Sequence, residues 1–324
     1  MADYQVPGDD GQQPGQHGMY ELGFPAPTLS APDGRGPVLV HALQGFSDAG
    51  HALRLAATHL KGALDAELVA SFAIDELLDY RSRRPLMTFK SDHFTHYDDP
   101  ELSLYAMRDS VGTPFLLLAG LEPDLQWERF ITAVRLLAER LGVRQTIGLG
   151  TVPMAVPHTR PITMTAHSNN PDLIVDFTPW IAEIQVPGSA SNLLEFRMAQ
   201  HGHEVVGFTV HVPHYLTQTD YPAAAQALLE QVAKTGSLDL PLTALSTSAG
   251  EIRNRIDEQV QSSAEVAQVV AALERQYDAF IDAQENRSLL ARDEDLPSGD
   301  ELGAAFEKFL AQQGGKKFDD DDKG

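Results

Sequence analysis

Nearly unbroken apolar runs, separated by amphipathic segments, constrain the fold of this chain most strongly. The clearest are "PVLVHAL" at residues 37–43 and "TPFLLLAGL" at 113–121, with "ELVASFAI" at 67–74 and "VRQTIGLG" at 143–150 as further strands. A strand with one face in water alternates apolar and polar residues, whereas an unbroken apolar run requires cover on both faces of its sheet. The pattern therefore predicts an α/β fold, in which a mostly parallel sheet is flanked by helices.

The segments between these runs have the period of a helix. Apolar residues recur every three to four positions in residues 48–62 and in residues 124–141, where Gly142 marks the end of the second helix. The segment at 86–109 instead predicts two strands around a turn at "DDP". Alternation of strands with helices continues to about residue 245.

Beyond residue 245 the pattern is helical throughout. "SAGE" at 248–251 and "SSAE" at 262–265 have the spacing of capping boxes, which predicts a helix start at each. We predict four regions: a disordered N-terminal tail (residues 1–20), an α/β domain (21–245), a helical appendage (246–292), and an acidic tail with one short helix (293–324). That last helix presents an apolar face to a protein partner, formed by Leu302, Phe306, Phe309 and Leu310.

Charge and composition exclude several functional classes. The 324 residues carry a formal net charge of −22, which argues against nucleic-acid binding because phosphate backbones require a positive surface. No apolar run reaches the roughly 20 residues of a membrane span, and the N-terminus lacks the pattern of a secretory signal. Cysteine is absent, which excludes disulfides and thiolate metal sites. We expect a cytoplasmic protein that binds neither nucleic acid nor membranes.

The segment "GFSDAG" at residues 45–50, here called the glycine loop, raises the question of a ligand. It lies between an apolar strand and a helix, where α/β proteins bind phosphate at the free backbone N–H groups of the helix. It lacks the lysine of a P-loop and the glycine spacing of a dinucleotide fingerprint. Asp48 is a helix cap that would occupy the same donors. A structural turn and a small-anion site both stay open.

A long connection, residues 151–172, is here called the proline-rich loop. It carries four prolines and one short predicted strand at 162–165. Loops of this length inside a compact domain are usually functional. Together the two loops give one candidate set for a ligand or anion: Gly45, Phe46, Ser47, Asp48, Gly50, Gly150, His158 and Arg160. No metal site is predicted from the scattered histidines, no cofactor is predicted, and no assembled set of catalytic side chains is visible.

Four segments in order resemble the PAC2 family, the proteasome assembly chaperone 2 type: "LVHALQGFSDAGHALRLAATHL", "FLLLAGLEPDLQWERF", "GLGTVPMAVPHTRP" and "GFTVHVPHYL". The resemblance covers roughly residues 38–245 and is greatest to the longer actinobacterial members. It implies a fold of the nucleoside phosphorylase/hydrolase type, homo-oligomerisation, and a role in helping proteasome subunits assemble. It carries no catalytic residues to this sequence.

Two hypotheses of different class follow. The first is a non-enzymatic assembly chaperone or adaptor that binds itself and protein partners such as proteasome subunits. The alternative is a phosphorylase- or hydrolase-like enzyme, or a sensor, that binds a nucleoside or a phosphate-containing small molecule at the carboxyl edge of the sheet. A hydrophobic–tyrosine–any-residue tail, by which relatives dock on the proteasome, is absent from the terminal "DDDDKG".

Overall fold

A computed structural model of the chain describes residues 18–25, 27, 29, 34–45, 47–177 and 183–290, with side chains described as far as residue 283. These residues divide into two units. The first extends to residue 177 and continues over 187–277, and the second comprises 183–186 and 278–290. All strands described below lie in the first unit.

The strands form one large sheet and one separate hairpin. They are β1 (Tyr20–Leu22), β2 (Val38–Gln44), β3 (Ala66–Phe72), β4 (Met87–Lys90), β5 (His93–Tyr97), β6 (Leu102–Arg108), β7 (Pro114–Leu121), β8 (Gln145–Met154), β9 (Met164–Ser168) and β10 (Glu204–Pro213). The large sheet has the order β1-β3-β6-β7-β2-β8-β10-β9, and β4 pairs with β5 alone. Its four neighbouring strands β7, β2, β8 and β10 are parallel, while the outer strands pair antiparallel.

The helices cover both faces of the sheet. They are α1 (Ala52–Ala63), α2 (Ile74–Leu77), α3 (Trp127–Arg140), α4 (Ala190–Gln200), α5 (Pro222–Gly236), α6 (Thr243–Gln261) and α7 (Ala264–Leu290). The predicted α/β fold, with a parallel central sheet, flanking helices and a C-terminal helical region, is confirmed. Within the described residues, no helix combines the length and the apolar character that crossing a membrane requires.

Strand β2 shows why its sequence is apolar at almost every position. Val38 and Val40 belong to the apolar cluster that contains α1 and α5. Leu39 and Leu43 point to the opposite face, into the cluster that contains α3 and α4. Because successive side chains of a strand alternate between faces, a strand covered on both sides must be apolar at odd and even positions alike.

Two local predictions are corrected by the structure. Residues 86–109 form three strands rather than two, because a tight turn at Ser91, whose φ is +59°, makes a hairpin of β4 and β5 before the "DDP" segment. The "SAGE" segment lies inside α6 and does not begin it, since that helix already starts at Thr243. The "SSAE" segment does lie at a helix start, where Ser263 Oγ accepts a hydrogen bond from the Val266 N–H at 3.4 Å.

Several predictions concern residues outside the described part of the chain. The acidic tail at 293–324 lies there, together with its proposed partner-binding face of Leu302, Phe306, Phe309 and Leu310. Phe46 of the glycine loop and residues 1–17 also lie outside it. Residues 18–20 of the predicted tail are described, and Tyr20 opens strand β1, which pairs antiparallel with β3.

Candidate functional site

The glycine loop is fastened to the neighbouring strand β8 through one threonine. Thr151 Oγ1 accepts a hydrogen bond from the Ala49 N–H at 2.8 Å and donates to the Ser47 carbonyl oxygen at 2.9 Å. Ser47 Oγ in turn donates to the Thr151 carbonyl oxygen at 2.8 Å. The loop therefore closes on the carboxyl end of β8 through its own polar groups.

The Asp48 carboxylate binds the first turn of helix α1 from outside the helix. Because α1 begins at Ala52 with His51 as its N-cap residue, the predicted helix start at residue 48 is corrected. Asp48 Oδ1 accepts from the Leu53 N–H at 2.8 Å, and Oδ2 accepts from the Arg54 N–H at 3.3 Å. Burial raises the pKa of this carboxyl, and the two backbone hydrogen bonds partly offset that rise. These are N–H groups of the first turn, the donors that an anion at a helix N-terminus would use. The arrangement is that of a structural turn, since the donors already hold a carboxylate.

Gly50 provides the bend of this loop. Its φ of +66° is in the left-handed region, and a Cβ atom at this position would lie 2.9 Å from the Cβ of Tyr221. Its carbonyl oxygen accepts a hydrogen bond from the Tyr221 N–H at 2.9 Å. A residue other than glycine would be strained here in both respects.

His158 and Arg160 of the proline-rich loop bond to the C-terminal helices. His158 is 4% exposed; its Nδ1 lies 2.6 Å from the Tyr215 hydroxyl and its Nε2 lies 3.0 Å from Asp257 Oδ1 of α6. Arg160 Nη1 donates to Glu274 Oε1 of α7 at 3.3 Å. These two candidate residues thus hold α6 and α7 against the loop.

The candidate set is therefore divided between two structural tasks. Ser47 and Asp48 hold the glycine loop and helix α1, and Gly50 forms the bend, whereas His158 and Arg160 bind the helical appendage. Gly150 lies within β8, where a Cβ atom would come 2.9 Å from Thr209 Oγ1 of the neighbouring strand. Whether a ligand binds at any of these residues stays a prediction.

A second group of polar side chains, which the sequence analysis missed, lies between the sheet and helix α4. His41 of β2 is fully buried, with an exposure of 0%, and Glu195 of α4 is 7% exposed. His41 Nε2 is 3.4 Å from Glu195 Oε1, close enough for an ion pair but not aligned as a hydrogen bond. The other carboxylate oxygen of Glu195 is hydrogen-bonded to Nε2 of His167, from strand β9.

Ser191 and Glu122 extend this group toward the carboxyl end of β7. Ser191 Oγ lies 3.1 Å from His41 Nδ1, and its backbone N–H donates to Glu122 Oε1 at 3.0 Å. Glu122 is 5% exposed, whereas Ser191 is half-buried at the start of α4. We name this group the buried network after its buried members His41, Glu122 and Glu195; it also includes Ser191, which is half-buried, and His167, whose side chain is 54% exposed.

Glycines in the central strands make room for the buried network. A Cβ atom at Gly148 of β8 would lie 2.0 Å from Glu195 Oε1 and 2.7 Å from His41 Nε2. A Cβ atom at Gly207 of β10 would lie 2.3 Å from a ring carbon of His167. Glycine inside a strand often marks such a close approach.

Electrostatic interactions in the network favour the ionised form of Glu195 and the protonated form of His167. Burial acts to raise the pKa of the Glu195 carboxyl, but the hydrogen bond from His167 and the proximity of His41 outweigh it and hold the pKa at about 2. The Glu195 carboxylate raises the pKa of the His167 imidazole, chiefly through their hydrogen bond. Glu195 is therefore ionised at neutral pH, and the imidazolium form of His167 is favoured.

The described residues contain no cluster of metal ligands and one sizeable cleft outside the candidate set. In the described part of the chain, no three His, Cys, Asp or Glu side chains are placed to hold a metal ion. A surface cleft of about 390 Å³ lies between α3 and α4 and is lined by polar residues such as Thr132, Arg135 and Gln200. This cleft is not lined by residues of the candidate set.

Comparison with known proteins assigns the family. The sequence profile of the PAC2 family matches residues 42–260. The chain belongs to the PAC2 family. The match begins one residue after His41 and includes the glycine loop, the proline-rich loop and most of α6. The resemblance stated from four sequence segments is thus confirmed, while no curated protein gives a significant match.

Solved structures include PAC2 proteins and other similar chains. A Mycobacterium tuberculosis protein of unknown function is 86% identical, with a TM-score of 0.82 over 84% of this chain and 95% of that one. A Corynebacterium glutamicum protein of unknown function is 46% identical, with a TM-score of 0.78 over 82% and 99% of the two chains. A proteasome-assembly chaperone homologue of Mycobacterium tuberculosis is 24% identical, with a TM-score of 0.66 over 72% and 99%, and this likeness shows the fold.

The sequence of this PAC2 chain does contain weak signals of the buried network. His41 is the one polar residue in the apolar run "VLVHAL", and Ser191 and Glu195 are four apart, on one face of α4. Neither signal identifies the contact, because His41 lies 150 positions before Ser191 in the sequence. Their contact depends on the pairing of β2 with β8 and on the packing of α4 over β8 and β10.

Proposed function

We propose that this PAC2 protein is an assembly chaperone or adaptor that binds protein partners, namely a second copy of itself and proteasome subunits. The similarity to the proteasome-assembly chaperone homologue of Mycobacterium tuberculosis supports the second partner at the level of fold. The exposed apolar surface of one hairpin supports protein binding more directly.

The hairpin of β4 and β5 carries the apolar surface in question. The hairpin surface consists of five large side chains that are 40% to 73% exposed: Leu86, Met87, Phe89, Phe94 and Tyr97. The rings of Phe89 and Phe94 contact each other edge to face, with centroids 5.2 Å apart. Contiguous exposed apolar groups of this kind mark protein interaction sites.

The hairpin needs cover for its own stability as well. All nine residues of its two strands are exposed, and β4 and β5 pair with each other rather than with the large sheet. An isolated two-stranded hairpin is marginally stable in water. Because cover must be present whenever the protein is folded, a second copy of the chain is the partner that fits best.

Light scattering after size-exclusion chromatography tests self-association. We expect an oligomer for the full chain and a monomer for the double substitution Phe89→Ser and Phe94→Ser. The matched control is Val111→Ser, which removes an apolar side chain that is 74% exposed in a different loop. A monomeric wild-type chain, or an oligomer unchanged in the double variant, would overturn this assignment of the hairpin surface.

A further inference from the structure

Three residues of the buried network are connected in the order serine, histidine, carboxylate. Ser191 Oγ is 3.1 Å from His41 Nδ1, and His41 Nε2 is 3.4 Å from Glu195 Oε1. This order allows a base to activate a nucleophile and a carboxylate to orient the base. The same relationship is recognised by geometry and roles on unrelated folds, not by sequence position.

The carboxylate determines which nitrogen of His41 can act as the base. Glu195 is ionised and so can only accept, which favours a proton on His41 Nε2. In the neutral imidazole, Nδ1 then has the free lone pair and accepts from the Ser191 hydroxyl. His167 hydrogen-bonds the second carboxylate oxygen and fixes the orientation of Glu195. His167 is thus a positioning residue.

The location of Ser191 suits a nucleophile. It is the second residue of α4, an eleven-residue helix. It is half-buried, whereas His41, which its hydroxyl contacts, is fully buried.

We propose that Ser191 is the nucleophile of a second, catalytic function, the hydrolysis of carboxylic esters, with His41 as general base and Glu195 as the group that orients His41. Ser191 Oγ forms a bond to the carbonyl carbon, and His41 Nδ1 takes the hydroxyl proton. The ester C–O bond then breaks, and His41 returns that proton to the departing alcohol. Water attacks the acyl-serine, His41 takes a proton from the water and returns it to Ser191 Oγ, and the acid is released.

The surrounding charge selects the class of substrate. Glu122 accepts from the Ser191 N–H, so a carboxylate lies beside the nucleophile. An anionic acyl group would be repelled there, because like charges at short range are unfavourable in a site of low dielectric. The site therefore suits esters with an uncharged acyl group.

Covalent labelling tests the nucleophile without knowledge of the natural substrate. The intact protein is treated with an uncharged fluorophosphonate probe, and the adduct is located by tandem mass spectrometry. We expect one adduct on Ser191, absent from Ser191→Ala and formed at least roughly 100-fold more slowly in His41→Gln. Ser189→Ala is the matched control, since Ser189 caps the same helix through its hydrogen bond from the Asn192 N–H at 3.0 Å.

A thiol variant gives a second readout, because the natural chain contains no cysteine. The single thiol of Ser191→Cys is compared with that of Ser189→Cys for its rate of alkylation by iodoacetamide at neutral pH. A neighbouring base increases the thiolate fraction, so we expect alkylation roughly 10-fold faster in Ser191→Cys. Hydrolysis of p-nitrophenyl acetate by the wild-type protein, lost in Ser191→Ala, would support the same conclusion.

Two results would overturn the proposal. One is the absence of a Ser191 adduct in the folded wild-type protein, which needs no variant to interpret. The other is an adduct that forms at the wild-type rate in His41→Gln while Ser191→Cys and Ser189→Cys react equally fast. Either result would leave the network with a purely structural role. Neither bears on the oligomeric state, so the hydrolase and the adaptor proposals fail independently.

Discussion

Single residues decide whether the buried network can exist. His41, Ser191 and Glu195 occupy space that opens because positions 148 and 207 have no side chain. Each of these polar residues could be identified in the sequence individually. Their close contact could not be predicted, because it depends on the pairing of strands that are far apart in the sequence. Asp48 differs in this respect, because its hydrogen bonds to the first turn of α1 are local, and they could be predicted from the sequence alone.

Gly148→Ala should destabilise the protein. The new methyl group would lie 2.0 Å from Glu195 Oε1, and Glu195 cannot move easily because His41 and His167 hold it. We expect a loss of about 1–3 kcal/mol in the free energy of unfolding, measured with urea. The control is Gly62→Ala in α1, where no atom lies within 4 Å and helix propensity favours alanine by about 1 kcal/mol. Equal stability of the two variants would contradict the described packing.

The carboxyl of Glu195 should give the protein a specific acid sensitivity. Its pKa falls from 4.5 to about 2 on folding, so its stabilising contribution is present above pH 4.5 and is lost as the pH falls from 4.5 toward 2. In urea titrations across this range, Glu195→Gln should show a shallower loss of stability than the wild type. Glu258→Gln, a substitution of an exposed glutamate on α6, is the control. Parallel curves for Glu195→Gln and the wild type would count against an ionised, paired Glu195.

At the scale of helices and strands, the sequence patterns predicted some elements correctly and missed others. The apolar runs predicted strands β2 and β7, and Gly142 marks the end of α3 as expected. The separate hairpin was missed because its turn at Ser91 carries no glycine or proline. The start of α6 was also placed too late, since a capping-box pattern inside a helix cannot be told from one at its beginning.

The attachment of α6 is a property of that element and can be measured. Nε2 of His158 binds Asp257 of α6, and Nδ1 binds the Tyr215 hydroxyl. His158→Ala would leave both partners without this bond, and such a loss costs about 1–3 kcal/mol for a buried group. We expect faster hydrogen exchange in α6, while the sheet is unchanged. His201→Ala, which alters an exposed histidine, should leave exchange unchanged; exchange in α6 that is equal in both variants would show that His158 does not hold the helix.

At the scale of the whole molecule, the functional alternatives differ in what the protein binds. Phosphate and nucleosides would have to compete with the Asp48 carboxylate for the N–H groups of α1. We therefore expect no change in melting temperature with phosphate, nucleosides or nucleotides, since a ligand that binds the folded state must raise it. A concentration-dependent rise with any of them would favour the alternative of a ligand-binding enzyme or sensor.

Family membership and the fold were both predictable from sequence, because several apolar strands and loop motifs occur in order along most of the chain. The binding partner could not be predicted from the sequence, because an interaction surface depends on which apolar groups remain exposed after folding. Judged by residue type alone, Phe89 and Phe94 could have been core residues. In the folded protein they are 58% and 62% exposed, which only the structure shows. The adaptor proposal rests on this exposure and on the PAC2 family.

Equilibrium binding of the purified chain to purified proteasome α and β subunits tests that proposal most directly. The account predicts saturable binding to at least one subunit. Val111→Ser, which alters an exposed apolar side chain outside the hairpin, should leave this binding unchanged. Failure of both subunits to bind at any concentration tested, with the chain folded and its hairpin intact, would contradict it.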